Sequence, residues 1–166
     1  MISLSAVGGI FSILTFVHFF VDFGTQSEKE AMVKWKDTKV RAKHCAIYTC
    51  AFLPIFFLVG LGWIGSLLAT IILFMSHMYI DTYEPVYLWC KYIRKPWQME
   101  GPKKVVELGD DKFEIITEES KNPMRGFETY AATPIGKILT ITIDQICHLA
   151  VLLFIAELIV AMGVRL

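Results

Sequence analysis

The chain has 166 residues, 55% of them hydrophobic, and its 16 basic and 16 acidic side chains cancel to a formal net charge of zero. That length leaves no room for a second independent core, and a positive mean hydropathy is out of place in a soluble domain. The neutral balance names no partner by itself; no nucleic-acid partner is expected.

The apolar residues come in blocks. Met1–Phe23, Ala46–Ile80 and Ile138–Val164 are nearly free of charge. A hydrocarbon core of about 30 Å takes roughly 20 helical residues to cross. The outer blocks therefore predict one crossing each. The middle block predicts two short ones, broken at Gly60–Gly65, where glycines supply a tight turn. The expected fold is all-α: a polytopic bundle of four transmembrane helices forming a single membrane domain over 1–166. A small cytoplasmic insertion, 83–137, falls between the third and fourth crossings.

In chain order, the first helix is expected from about Leu4 to Phe23. It lacks the basic start and small-residue cleavage site of a signal peptide and carries His18 and Asp22, so it reads as a permanent crossing. The loop from Ser27 onward, rich in Glu and Lys, predicts a short surface helix. The second crossing runs from about His44 to Leu61, with Pro54 kinking it, and the third from about Ile64 to Thr82. The insertion opens with aromatics and cations over 84–97, which suits an amphipathic helix in the headgroup layer or a plain continuation of the third helix into water. Lys103–Leu108 and Lys112–Thr117 around Gly109-Asp110-Asp111 read as a β-hairpin, and Ser120–Thr133 as loop. The fourth crossing runs from about Lys137 to Gly163. Six of the 16 Lys and Arg residues lie in 24–43 and nine in 82–137. The positive-inside rule then puts both loops in the cytoplasm and both termini outside. Cys45, Cys50, Cys90 and Cys147 show no C-x-x-C spacing and read as reduced packing residues.

Ionisable groups are expensive in hydrocarbon, roughly 2.5–3.5 kcal/mol for an aspartate at a helix centre on insertion scales. This chain keeps several, in a pattern. His18 and Asp22, His77 and Asp81, and Asp144 and His148 are each four residues apart, which puts both members of a pair on one helix face. His44, the remaining histidine, opens the second crossing. Because consecutive crossings alternate in direction, all seven residues come out near the cytoplasmic face. A lone intramembrane histidine is usually an interhelical hydrogen-bonding residue; three pairs and a fourth histidine at one depth favour a functional polar site. Imidazole and carboxylate suit a divalent metal, zinc above all, as one ion or as two sharing carboxylates. The candidate ligands are His18, His44, His77, Asp81, His148, Asp22 and Asp144, with Asp22 and Asp144 as candidate general bases. Gln26 and Gln145 are placed to orient ligands or substrate, or simply to sit at the interface. Glu157 is too deep to join the cluster and either faces a neighbouring helix or snorkels outward. Lys43, Arg125 and Lys137 are candidates for an anionic substrate or for lipid phosphates. Trp35, Trp89 and Trp97 read as interfacial anchors.

His18-Phe19-Phe20-Val21-Asp22-Phe23-Gly24-Thr25-Gln26, the histidine opening the second helix, His77-Met78-Tyr79-Ile80-Asp81 and Asp144-Gln145-Ile146-Cys147-His148 resemble a family of small bacterial and phage membrane proteins of unknown function. Its pattern is H-x-x-x-D-F-x-x-Q, H, H-x-x-x-D and D-Q-x-x-H in that order. More distantly, the His–Asp helices are similar to membrane-bound metal-dependent hydrolases. The resemblance implies a bacterial inner (plasma) membrane and hydrolytic chemistry. The expectation is a metal-dependent hydrolase acting on an ester or phosphoester at the cytoplasmic face, with the depth of the site favouring a lipid-linked substrate. The alternatives are a proton or metal-ion transporter, and a phage-type pore or accessory factor whose His/Asp cluster only locks the bundle. The lipid bilayer is the expected partner. Four short helices enclose little interior, so a homo-oligomer is expected too.

Overall fold

The computed structural model describes residues 3–94, 103–109, 112–117, 127 and 130–164. Trp97, Arg125, Asp110 and Asp111 of the hairpin turn and most of the expected loop at Ser120–Thr133 lie outside the described residues. The helices are α1 (Leu4–Gly24), α2 (Glu28–Val33), α3 (Thr38–Leu58), α4 (Gly62–Ile80), α5 (Glu84–Trp89) and α6 (Pro134–Ala161). α5 runs into a π-helical turn at Cys90–Arg94. Lys103–Gly109 (β1) and Lys112–Thr117 (β2) pair antiparallel, Val105 opposite Ile115, with an irregularity near Gly109.

Local chemistry sets these boundaries. Ser27 and Glu30 form a reciprocal capping box that starts α2. Asp37 caps α3, its Oδ1 accepting from the backbone of Lys39 and Val40. α3 therefore begins at Thr38 rather than near His44, and His44 sits in its second turn. Pro54 lies inside this helix. Gly60 and Gly62 take positive φ, 86° and 64°, and turn the chain between α3 and α4. After Asp81 the chain does not run straight on: Tyr83 adopts φ 61°, an uncommon conformation for a residue with a side chain, and α5 starts anew. Thr133 accepts from the Gly136 amide and Pro134 fills the first position of α6, so α6 starts ahead of the expected Lys137 and runs 28 residues.

The chain divides into two compact units: Met1–Glu84 with Gln145–Leu166, and Pro85–Asp144. In the first, α3 packs against both α4 and α1, and each helix buries one stripe. On α1 it is Val7, Ile10, Leu14, His18, Val21 and Asp22. On α3 it is Arg41, His44, Cys45, Tyr48, Thr49, Phe52 and Phe56. On α4 it is Ser66, Ala69, Leu73, His77 and Ile80. His148, Leu152, Ile155 and Ile159 continue the pattern along α6. These are the 3–4 spacings of a helix with one face inward. The opposite faces are apolar and exposed, as with Phe16 and Phe20 on α1 and Leu67, Ile71 and Met75 on α4. Such faces suit hydrocarbon better than water. In the second unit, Tyr87 and Phe127 are buried and meet edge to face at 5.8 Å.

Three helices, α1, α4 and α6, are long and apolar enough to cross a bilayer. α3 is of similar length but carries Lys39, Arg41 and Lys43 in its first two turns, and it is not among them.

Candidate metal centre

The i, i+4 spacing on α1 and α4 brings His18 with Asp22, and His77 with Asp81, to one end of the interior, and α3 delivers His44 to the same level. All are buried: His18, Asp22, His44, His77, Asp81 and His148 are each exposed by 4% or less. His44 Nε2 lies 3.0 Å from Asp22 Oδ1 and 3.1 Å from His77 Nε2. His77 Nε2 is 3.7 Å from Asp22 Oδ1 and 3.3 Å from Asp81 Oδ2, and His44 Nε2 is 3.8 Å from that same Asp81 oxygen. His148 Nε2 stands 3.9 Å from Asp81 Oδ1, its ring against His77 at 4.4 Å between centroids. Asp144 is buried one turn before His148 on α6.

His18 stands behind this group. Its Nε2 meets Gln145 Oε1 at 2.9 Å, and the Gln145 amide donates to Asp22 Oδ2 at 3.1 Å. An amide oxygen only accepts, so His18 Nε2 carries a proton. In the neutral ring Nδ1 is then the acceptor, taking the Tyr48 hydroxyl proton at 2.8 Å. Both ring nitrogens are thus in use, and Tyr48, His18 and Gln145 together orient Asp22. Gln26 plays a different part: its amide donates to the Asp22 backbone carbonyl at the end of α1. Glu157 is on an exposed face of α6, and Lys137 is exposed too.

Two members of the cluster lie outside the sequence expectations. Tyr48 follows His44 by four residues, the spacing of the other pairs, and that spacing is the signal that could find it. Lys34 has no such signal, because it sits in a run of lysines that resembles any solvated loop. Its Nζ is 3.0 Å from Asp81 Oδ1 and 3.9 Å from Asp22 Oδ1, with the side chain 6% exposed. Arg41, also buried, holds the loop that carries it, donating to the carbonyls of Lys34 and Trp35 at 3.1 Å each. Outside the interior, Lys43 pairs with Glu30 at 2.8 Å. With the Ser27 bonds, that pair holds the Glu30 carboxyl down to about 2.

Two carboxylates, Asp22 and Asp81, share one ammonium, and Asp144 is a further buried carboxyl. Burying charge without full pairing is costly. Nδ1 of His44, Nδ1 of His77 and both Asp81 oxygens have no hydrogen-bond partner among the described residues; Asp81 keeps its ion pair with Lys34. The donor atoms of Asp22, His44 and His77 all lie within 4.8 Å of one another, as do those of Cys45, His77 and Asp81. These buried groups can hold a metal ion. A family model described as "Protein of unknown function (DUF3307)" matches residues 10–110, which takes in α1 to α5 and stops short of α6. No curated protein and no solved structure matches.

Proposed function

The chain belongs to the family described as "Protein of unknown function (DUF3307)", and from that premise we propose that it is a membrane-embedded metal-dependent hydrolase, its centre at the cytoplasmic edge of the bilayer. One observation carries the reading. Asp22 Oδ1, His44 Nε2 and His77 Nε2 are spaced 3.0, 3.1 and 3.7 Å apart, one group of donors within 4.8 Å, with Asp81 Oδ2 3.3 and 3.8 Å from the two imidazoles. A zinc ion with arms of about 2.0–2.1 Å to nitrogen and oxygen needs tetrahedral edges of about 3.3–3.4 Å. Gln145 on Asp22 and Lys34 on Asp81 then act as the outer hydrogen-bonding layer that such ligands use.

Three protein donors would leave a place for the water that hydrolysis needs. Asp81, its Oδ1 on Lys34, would keep Oδ2 beside that place as proton acceptor. When bound, the ion lowers the pKa of a coordinated water toward neutrality. Asp81, which Lys34 holds ionised before reaction, would take the water's proton and return it to the leaving oxygen. A site at this depth favours a lipid-linked substrate from the cytoplasmic leaflet. In this reading α3 is the fourth crossing, tolerating its cations because Lys39 and Lys43 are exposed at its headgroup end and Arg41 is satisfied by the Lys34 and Trp35 carbonyls, and the termini are outside.

The test is elemental analysis of detergent-purified protein together with hydrolysis of a lipid phosphoester in mixed micelles. About one ion per chain is expected, with activity lost on chelation and restored by zinc, and both lost in His77→Ala. Full activity in metal-free protein ends the proposal. A proton pathway is the second reading, favoured by the unbroken hydrogen bonds from Tyr48 through His18, Gln145, Asp22 and His44 to His77. Beyond them the interior is Leu14, Phe52, Phe56 and Leu73, which carry no proton. Proton flux in liposomes that Asp22→Asn abolishes would decide for it.

A further inference from the structure

Cys45 has no role in the centre as proposed, yet it is completely buried and neighbours His44 on the inward stripe of α3. A buried cysteine is ordinarily a small apolar filler. Two observations set this one apart. Its Sγ lies within 4.8 Å of a donor atom of His77 and of one of Asp81, with those two atoms equally close to each other. And Nδ1 of His77 is buried without a hydrogen-bond partner among the described residues, as are both Asp81 oxygens, which have ion-pair contacts instead, the nearest to Lys34 at 3.0 Å and His77 at 3.3 Å; the donors beside the thiol are incompletely satisfied. Cys50, one helical turn and a half further along, is exposed and belongs to no such group among the described residues.

We infer that Cys45 is a metal ligand, forming with His77 and Asp81 a thiolate-bearing position that adjoins the Asp22–His44–His77 set and draws on the same His77 lone pair, so that a single ion takes one position or the other. The inference rests on the metal-centre reading above and deepens it. Forming the sulfur–metal bond breaks the S–H bond, and the proton leaves to solvent. A thiolate and one carboxylate then face a divalent ion with neutral imidazole as third donor, and the group carries no net charge. That is the composition a low-dielectric interior tolerates best. A mixed sulfur, nitrogen and oxygen set also chooses its ion. It suits zinc, cobalt or cadmium, and it disfavours magnesium and calcium, which take oxygen ligands in larger number. The consequence is selectivity: the protein holds a thiophilic divalent ion in a large excess of magnesium.

Cobalt(II) reports its own ligands, so the experiment is a cobalt titration of metal-free, detergent-solubilised protein followed by absorption. The wild type is expected to show visible d–d bands together with a near-ultraviolet thiolate-to-cobalt charge-transfer band. Cys45→Ser should lose the charge-transfer band while keeping bound cobalt on Asp22, His44 and His77, and Cys50→Ser should keep both. Cys45→Ala, with helical circular dichroism compared across all variants, guards against a serine that merely disturbs packing. A charge-transfer band that survives both Cys45 variants, or cobalt bound to the wild type without one, overturns the role of Cys45 and leaves the metal centre standing. A wild type that takes up no cobalt or zinc at all overturns both.

Discussion

The interior of the first unit has two ends built on the same stripes, and they are held by different physics. At one end Ile10, Leu14, Phe52, Phe56, Leu73 and Leu152 fill space, each exposed by 2% or less. At the other, one or two turns along the same faces, His18, Asp22, His44, His77 and Asp81 are buried just as completely. The apolar end needs only shape and volume, and its contacts are many, weak and interchangeable. At the polar end every atom needs a named partner, and removing one leaves the others uncompensated. Substitutions at the two ends should therefore fail in different ways.

The largest effect is expected from His77→Ala, which removes a donor shared by both ligand groups. Bound metal should fall from near-stoichiometric to background by elemental analysis, while the helices persist by circular dichroism. Phe52→Ala should do the reverse. Truncating a fully buried aromatic costs about 3–5 kcal/mol, read as a lower midpoint of unfolding in detergent, with metal retained by the molecules that remain folded. If Phe52→Ala strips the metal as thoroughly as His77→Ala, the two ends are not separable.

Lys34→Met sharpens the comparison because it leaves two buried carboxylates without their ammonium. Breaking such a pair costs about 3–5 kcal/mol, so the metal-free variant should be markedly less stable than metal-free wild type. Adding zinc should close most of that gap, since the ion supplies the positive charge that the two carboxylates have lost. A loss of stability that zinc does not repair would mean that Lys34 serves only the loop. Gln145→Ala comes next. Losing a hydrogen-bond partner behind a ligand typically weakens metal binding by about 10–100-fold, and equilibrium dialysis against a chelator would measure it.

The smallest effect belongs to the surface. Glu30 is held down to about 2, chiefly by its bond to Lys43. A carboxyl with a lowered folded-state pKa adds stability above its ordinary range near 4.5, and that contribution drains away as pH falls toward 2. Glu30→Gln should therefore differ from wild type at pH 6 and converge with it at pH 2, by a margin that salt reduces further. A pH-independent difference would assign Glu30 to packing.

How much was legible follows the periodicities. The i, i+4 pairs announced the inward faces of α1 and α4, and those faces carry His18, Asp22, His77 and Asp81 into one buried group. The same reading set His18 beside the other imidazoles as a ligand, whereas its two nitrogens meet Tyr48 and Gln145; spacing along a helix says which face a ring occupies and nothing of where its nitrogens point. For Gln145 the sequence offers a supporting or an interfacial role, and the structure shows the first: it bridges His18 to Asp22. Helix starts were misplaced at α3 and α6, because Asp37 and Thr133 cap ahead of the apolar pattern that was used to find them.

The amino-acid sequence by itself determined which segments are helical and apolar, which face of each turns inward, and that imidazoles and carboxylates occupy the same end of those faces. These are properties of residue order, read at a period of 3.6. Only the tertiary structure decided that Lys34 leaves a lysine-rich loop to lie between two carboxylates, that donor atoms of Asp22, His44 and His77 come within 3.0–3.7 Å of one another, and that Cys45 reaches His77 and Asp81. Such contacts join residues dozens of positions apart. Their distances depend on how helices cross and how side chains settle against one another, and local sequence does not encode either.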